Sequence, residues 1–77
     1  MKAKEMFEQE GYRLYANNEK MICYTANKDG KRIKFKLEKK KVTIHADVEM
    51  SLLLAIVRQC VELGWILEKR NDRRRTE

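Results

Sequence analysis

The sequence contains few of the residues from which enzyme sites are built. Of its 77 residues none is proline, three are glycine, two are cysteine and one is histidine. Three glycines leave little material for a phosphate-binding loop, and no nucleophile elbow or paired-carboxylate motif is present. The single histidine, His45, has no recognisable partners for a catalytic triad or a zinc site. We therefore expect a protein that is not an enzyme and that uses no cofactor or metal.

Long hydrophobic runs are also missing. The longest run, from Leu52 to Val57, falls far short of the roughly 18 residues of a membrane-spanning helix. Residues 1–5 include charged side chains and lack the apolar segment and cleavage site of a secretory signal. Cys23 and Cys60 are far apart in the sequence, and we expect free thiols in a reducing compartment. These features predict a cytoplasmic protein.

Positive charge is concentrated in one part of the chain. Eight of the 18 basic residues, but only two of the 12 acidic residues, lie between Lys28 and Lys41. This stretch therefore accounts for the whole formal net charge of +6. Such a local surplus bears on the partners of a protein rather than on its fold.

Composition and length predict one small folded domain. With 43% hydrophobic and 39% charged residues, the chain is too apolar for a disordered protein and too polar for a membrane protein. A chain of 77 residues has room for a core that is one layer deep. We expect a single domain over residues 1–67 and a disordered basic tail over residues 68–77.

The first helix is predicted over residues 2–10, where apolar residues recur three and four positions apart. Gly11 follows and is expected to end the helix in the left-handed conformation. Such an ending brings the residue after the glycine back onto the helix. We therefore expect Tyr12 to pack on Phe7.

A second helix is predicted over residues 48–63, with Asp47 as its N-cap and Glu49 in its first turn. Its end repeats the glycine and aromatic pattern in Gly64 and Trp65. The residues expected to face the core are Leu53, Ile56, Val57, Cys60 and Leu63, widened by Leu52 and Val61.

Between the helices the hydrophobic period changes to two, which predicts strands. The predicted strands are residues 12–16, 20–26, 31–37 and 41–46. In the second strand both faces carry apolar residues; we favour Ile22 and Tyr24 inward, with Met21 and Cys23 exposed. Short loops favour an α+β fold: a four-stranded antiparallel meander with both helices on one face, in the order α-β-β-β-β-α.

The basic stretch supports a hypothesis of nucleic-acid binding. Arg32, Lys34 and Lys36 alternate with apolar residues in the third strand, so they are expected on one face at spacings of about 6 to 7 Å. This spacing is close to the phosphate repeat of a nucleic-acid strand. Lys39, Lys40 and Lys41 extend the row around the following turn.

The alternative is that the lysines keep a small sheet soluble and protect its edge strand from pairing with other chains. Aromatic residues that stack on bases are scarce on this face, and Tyr15 is the main candidate. His45 is expected to be an ordinary surface group on the fourth strand.

The start of the second helix separates this chain from a family with a similar order of elements. A helix, antiparallel strands and a helix resemble the double-stranded-RNA-binding fold, whose members begin the second helix with a Lys-Lys-x-Ala-Lys type motif. Residues 47–51 here are Asp-Val-Glu-Met-Ser, the family's Gly-Pro-x-His loop is absent, and the strand count differs by one. The similarity is therefore one of topology, which does not determine function.

Motifs at the two ends of the chain carry a closer resemblance. Residues 2–12 are Lys-Ala-Lys-Glu-Met-Phe-Glu-x-x-Gly-Tyr, and residues 55–65 are Ala-Ile-x-x-Gln-x-x-Glu-Leu-Gly-Trp. They resemble a group of small uncharacterised proteins of Gram-positive bacteria and their phages or mobile elements. That group has no established biochemical role, so the resemblance implies no functional residue. It implies an accessory protein that docks on a larger host or viral machine.

Apolar residues that a shallow core leaves uncovered are the candidates for protein contact. Leu54 lies off the main apolar stripe of the second helix, and Trp65 and Leu67 follow its end. Together with Leu52 they predict an interface with an unknown protein or a second copy of the chain. Alternatively, Trp65 folds back and caps the core. We expect a non-enzymatic protein that acts by protein contact, with nucleic-acid binding through residues 28–41 as the alternative.

Overall fold

The structure, a computed structural model, describes residues 1–26 and 30–67. The predicted tail, residues 68–77, and Lys28 of the basic stretch lie outside the described residues. The elements are α1 (Ala3–Gln9), β1 (Arg13–Asn17), β2 (Met21–Ala26), β3 (Lys31–Lys36), β4 (Lys41–His45) and α2 (Met50–Glu62). The strands form one antiparallel sheet in the order β1-β2-β3-β4. The predicted α+β fold and its order of elements are confirmed.

Helix α1 ends as its glycine and aromatic pattern predicts. Gly11 has a φ of +86°, a left-handed conformation that favours glycine. The backbone N–H of Tyr12 donates to the carbonyl oxygen of Phe7 at 2.9 Å, which completes a Schellman motif. The two rings meet edge to face with their centroids 6.2 Å apart. The chain is thereby turned directly into β1.

Helix α2 ends in the same way. Gly64 has a φ of +79°, and the N–H of Trp65 donates to the carbonyl oxygen of Cys60 at 2.9 Å. The half-buried indole of Trp65 lies against Phe35 of β3, with ring centroids 6.3 Å apart. Trp65 therefore folds back onto the core, as the alternative interpretation of this residue predicted.

The predicted start of α2 is wrong. Glu49 rather than Asp47 occupies the N-cap position, and no side chain caps the helix. The backbone at Glu49 is still extended, with φ −84° and ψ 168°, so the helix begins only at Met50. An acidic residue in the first turn, the role expected of Glu49, is consequently missing.

Three aromatic rings form the centre of the core. Phe7 of α1 stacks on Tyr24 of β2, with centroids 3.9 Å apart and ring planes 16° apart. Phe35 of β3 meets both rings edge to face at 6.2 and 6.3 Å, a favourable geometry for aromatic side chains. Around these rings pack Ala3, Tyr12, Ile22, Ile33, Leu52, Ala55, Ile56 and Cys60. The core thus lies between the helices and one face of the sheet.

The inward face of β2 is confirmed, but the expected exposure of Cys23 is wrong. Ile22 and Tyr24 belong to the core, whereas Cys23 lies on the opposite face and is only 3% exposed. Its cross-strand neighbours are Ala16 of β1 and the half-buried Lys34 of β3. The aliphatic stem of a lysine covers apolar surface while its charged end stays in water, so a short thiol beside it is shielded.

The prediction of which α2 residues face the core is also partly wrong. Leu53 and Val57 were expected inside, but both are exposed and Val61 is only half-buried. The buried residues of α2 are Leu52, Ala55, Ile56, Gln59 and Cys60. The helix is apolar on nearly every side, so its rotation is decided by contacts with the rest of the domain.

Candidate interaction surfaces

Contacts with α1 fix the rotation of α2. The hydroxyl Oγ of Ser51 donates to Glu10 Oε1 at 2.9 Å. The backbone N–H of Ala3 donates to Glu62 Oε2 at 2.7 Å. Arg58 Nε lies 3.5 Å from the same Glu62 oxygen. The polar residues of α2 other than the buried Gln59 are therefore turned toward α1.

A second side of α2 is apolar and exposed. We call it the apolar flank, and it consists of Met50, Leu53, Leu54 and Val57. Each of these residues leaves between 38% and 67% of its surface exposed. At 100° per residue the flank is centred about 110° around the helix from the α1 contacts of Ser51, Arg58 and Glu62, and Leu53 is the flank residue farthest from them, at about 160°. Exposed apolar side chains that lie next to one another typically mark a contact site, so this flank is a candidate interaction surface.

Part of the apolar flank is on the β4 side of the domain. Helix α1 packs on α2 and contacts β1, the far edge of the sheet, so Leu53 and Val57, the flank residues farthest around the helix from the α1 contacts, lie on the β4 side. On the helix-bearing face of β4, Ile44 remains 41% exposed and Val42 is half-buried. The two helices therefore cover the sheet incompletely at its β4 edge.

The residues predicted for protein contact occupy different environments. Leu54 is part of the apolar flank, and Leu67 is 75% exposed beyond the end of α2. Trp65 packs against the core, and Leu52 is buried, so neither offers a free apolar side chain. The sequence did not predict Met50 and Ile44 as exposed apolar residues. The helical pattern assigns Met50 to the start of α2, and alternation assigns Ile44 to the core-facing side of its strand.

The other face of the sheet carries no helix and is strongly cationic. Its cross-strand rows are Arg13, Thr25, Arg32 and His45; Ala16, Cys23, Lys34 and Thr43; and Met21, Lys36 and Lys41. We call it the cationic face. These rows of the described strands contain no carboxylate, and none of their five basic side chains forms an ion pair with a described residue.

The sheet places the predicted phosphate-contacting residues as expected, and adds one. Arg32, Lys34 and Lys36 share the cationic face, and Lys36 lies directly opposite Lys41. Side-by-side like charges are unfavourable across strands, so this pair does not stabilise the fold. Lys39 and Lys40 lie exposed in the β3–β4 turn. The addition is Arg13, which isolated strand patterns did not single out.

An aromatic side chain borders the cationic face. The β1–β2 register shifts between Leu14 and Ala16, which leaves Tyr15 at a bulge and 73% exposed. Tyr15, Arg13 and Arg32 line an open depression of about 310 Å³. An exposed ring beside arginines is an arrangement suited to stacking on a base.

A second cavity, of about 490 Å³, opens where α1 ends and α2 begins. Its walls place Glu10, Asp47 and Glu49 near Arg13 and Lys31. The mixed charges select neither an anion nor a cation. Within the described residues no cluster of acidic, histidine and cysteine side chains has the makings of a metal site.

The buried polar groups of the core are structural. Tyr24 Oη donates to Gln59 Oε1 at 2.7 Å. Burial, reinforced by the negative charges of Glu62 and Glu8, raises the pKa of Tyr24 to about 12. Burial also raises the pKa of the Cys60 thiol. Both groups are therefore held in their neutral forms at ordinary pH.

Comparison with known proteins identifies no relative of this chain. No protein-family model, curated protein or solved structure matches the chain significantly. In the part of the chain that the structure describes, every helix is too short or too polar to cross a membrane. A functional proposal must therefore be based on the two surfaces themselves.

Proposed function

We propose that this is a non-enzymatic binding protein that acts by protein–protein contact through the apolar flank of α2, with an unknown protein or a second copy of the chain. The observation that carries the proposal is that the four apolar side chains of the apolar flank lie exposed together on α2. Exposed apolar patches of this kind typically mark interaction sites. Ile44, on the helix-bearing face of β4, is a further exposed apolar side chain.

The resemblance of residues 2–12 and 55–65 to small proteins of phages and mobile elements of Gram-positive bacteria fits this proposal. In it the protein is a cytoplasmic accessory protein that needs no cofactor. Leu67, exposed beyond the end of α2, is a further candidate for the interface.

A site-specific photocrosslinker tests the protein-contact function in producing cells. Benzoylphenylalanine replaces Val57 on the flank in one variant and Gln9, exposed on α1, in the matched control. We expect covalent adducts from position 57 only, and we expect Leu54→Asp to abolish them. The mass of the adduct shows whether the partner is this chain or another protein. An absence of adducts from position 57 contradicts the proposed function.

A second function, binding to the phosphate backbone of nucleic acid, is favoured by the cationic face. Five basic side chains point from an uncovered sheet that presents no carboxylate between them. If all five contact phosphates, the log-log plot of affinity for duplex DNA against salt concentration has a slope of about −4 to −5. Binding of this kind needs no base-specific contact.

Fluorescence anisotropy with labelled duplex DNA, single-stranded DNA and RNA tests this second function. Lys36→Glu replaces a like-charge pair with an attractive one opposite Lys41, so the fold should tolerate it. Lys4→Glu on α1 is the control, because it changes the net charge equally at a distant site. We expect at least a tenfold loss of affinity for Lys36→Glu alone. Equal losses in both variants would indicate attraction by net charge without a binding face.

A further inference from the structure

We propose, on the basis of the protein-contact function, that the partner of the apolar flank is a second copy of this chain. The two copies pair their β4 strands antiparallel about a two-fold axis and pack their α2 flanks together beneath the joined sheet. Two neighbouring features of one protomer, a free strand edge and an uncovered helix flank, support this arrangement.

The outer edge of β4 is suited to pairing. Within the described sheet β4 pairs only with β3, so its other edge presents unpaired backbone N–H and C=O groups. The strand contains no proline, and its register with β3 shows no bulge. Of the devices that protect natural sheet edges, only a charged residue, Lys41, is present.

The pleat limits the registers that two copies of β4 can adopt. Residues directly opposite each other must share a face, so a register centred on the middle residue places Thr43 opposite its own copy. Val42 then faces Ile44 of the second copy on the helix-bearing side. Lys41 faces His45 of the second copy on the other side. This register gives apolar pairs beneath the helices and no lysine opposite a lysine.

The same two-fold axis covers the helix flank. Because Leu53 and Val57 lie on the β4 side of α2, the axis brings them toward their own copies. The flank contains no charge that would select a different, oppositely charged partner. A stable interface buries about 800 Å² per partner, which is about one seventh of the 5570 Å² that the chain exposes.

Analytical ultracentrifugation of the full chain tests the inference. We expect a species of twice the 9.3 kDa chain mass at micromolar concentrations, strengthened by added salt because each copy carries a net charge of +6. Leu53→Glu and Val57→Glu should each weaken dimerisation at least tenfold, whereas Gln9→Glu on α1 should not. Both target residues are already exposed, so the variants should keep the native circular dichroism spectrum.

A disulfide tests the register without disturbing the flank. Thr43→Cys should form an intermolecular disulfide under mild oxidation, whereas His45→Cys should not, because its predicted neighbour is Lys41. The native thiols Cys23 and Cys60 are buried and leave little background. A monomer at 100 µM, a dimer insensitive to Leu53→Glu, or crosslinking that is equal at the two positions would each overturn the proposed dimer. Adducts of a different protein at position 57 in cells would overturn the dimer alone, whereas no adduct there would also remove the protein-contact function.

Discussion

Removal of the Tyr24 hydroxyl should destabilise the domain through a single buried hydrogen bond. The hydroxyl donates to Gln59 at 2.7 Å, and both side chains are at least 95% buried. Tyr24→Phe keeps the ring that stacks on Phe7 but leaves Gln59 Oε1 without its donor. An unsatisfied buried acceptor costs about 1 to 3 kcal/mol. We expect the free energy of unfolding to fall by this amount at pH 7.

The same residue predicts a specific dependence on pH. The pKa of Tyr24 is raised from 10.0 to about 12, so the folded state retains its proton at a pH where the unfolded state loses it. The stabilising contribution is therefore complete below pH 10 and is lost as the pH rises toward 12. A shift of about two pKa units corresponds to at most about 3 kcal/mol.

Urea unfolding followed by circular dichroism measures both effects. The stability difference between the wild type and Tyr24→Phe should shrink between pH 10 and 12. Tyr15→Phe is the matched control, because that exposed hydroxyl should change stability by less than about 0.5 kcal/mol. Equal stabilities of Tyr24→Phe and Tyr15→Phe at pH 7, or a difference that stays constant to pH 12, would refute the reasoning.

Three further predictions concern the fold. Phe7→Ala removes a fully buried ring from the aromatic centre and should cost about 3 to 5 kcal/mol, so most molecules should lose their native circular dichroism spectrum at 37 °C. Gly11→Ala meets no neighbouring atom but forces a side chain into φ +86°, which should cost about 1 to 2 kcal/mol in thermal unfolding. Cys23 and Cys60 are buried, and burial raises the pKa of Cys60, so Ellman's reagent should modify them about 100-fold or more slowly than in urea.

Local patterns determined the parts of the fold that could be predicted. A glycine followed by an aromatic residue ends both helices because the Schellman motif involves only a few consecutive residues. Alternation placed Arg32, Lys34 and Lys36 on one face because the side chains of a strand alternate strictly. These features do not depend on distant parts of the chain.

The parts that could not be predicted depend on contacts between distant residues. The rotation of α2 is fixed by Ser51 with Glu10 and by Glu62 with Ala3, residues that are 41 and 59 positions apart. A helix that is apolar on nearly every side gives no local signal of which side is buried. The shielding of Cys23 likewise depends on a neighbouring strand. The exposed flank was therefore visible only in the structure.

The two surfaces lie on opposite faces of one sheet, so they need not compete. If β4 pairs with its own copy, the joined sheet places two cationic faces side by side and doubles the positive surface available to a phosphate backbone. Salt then acts in opposite directions, since it screens the repulsion between two chains of net charge +6 but weakens their hold on phosphates. At low salt the dimer should therefore depend on nucleic acid, whereas at high salt it should form without nucleic acid. The two states are distinguishable by measuring dimerisation at each salt concentration with and without nucleic acid.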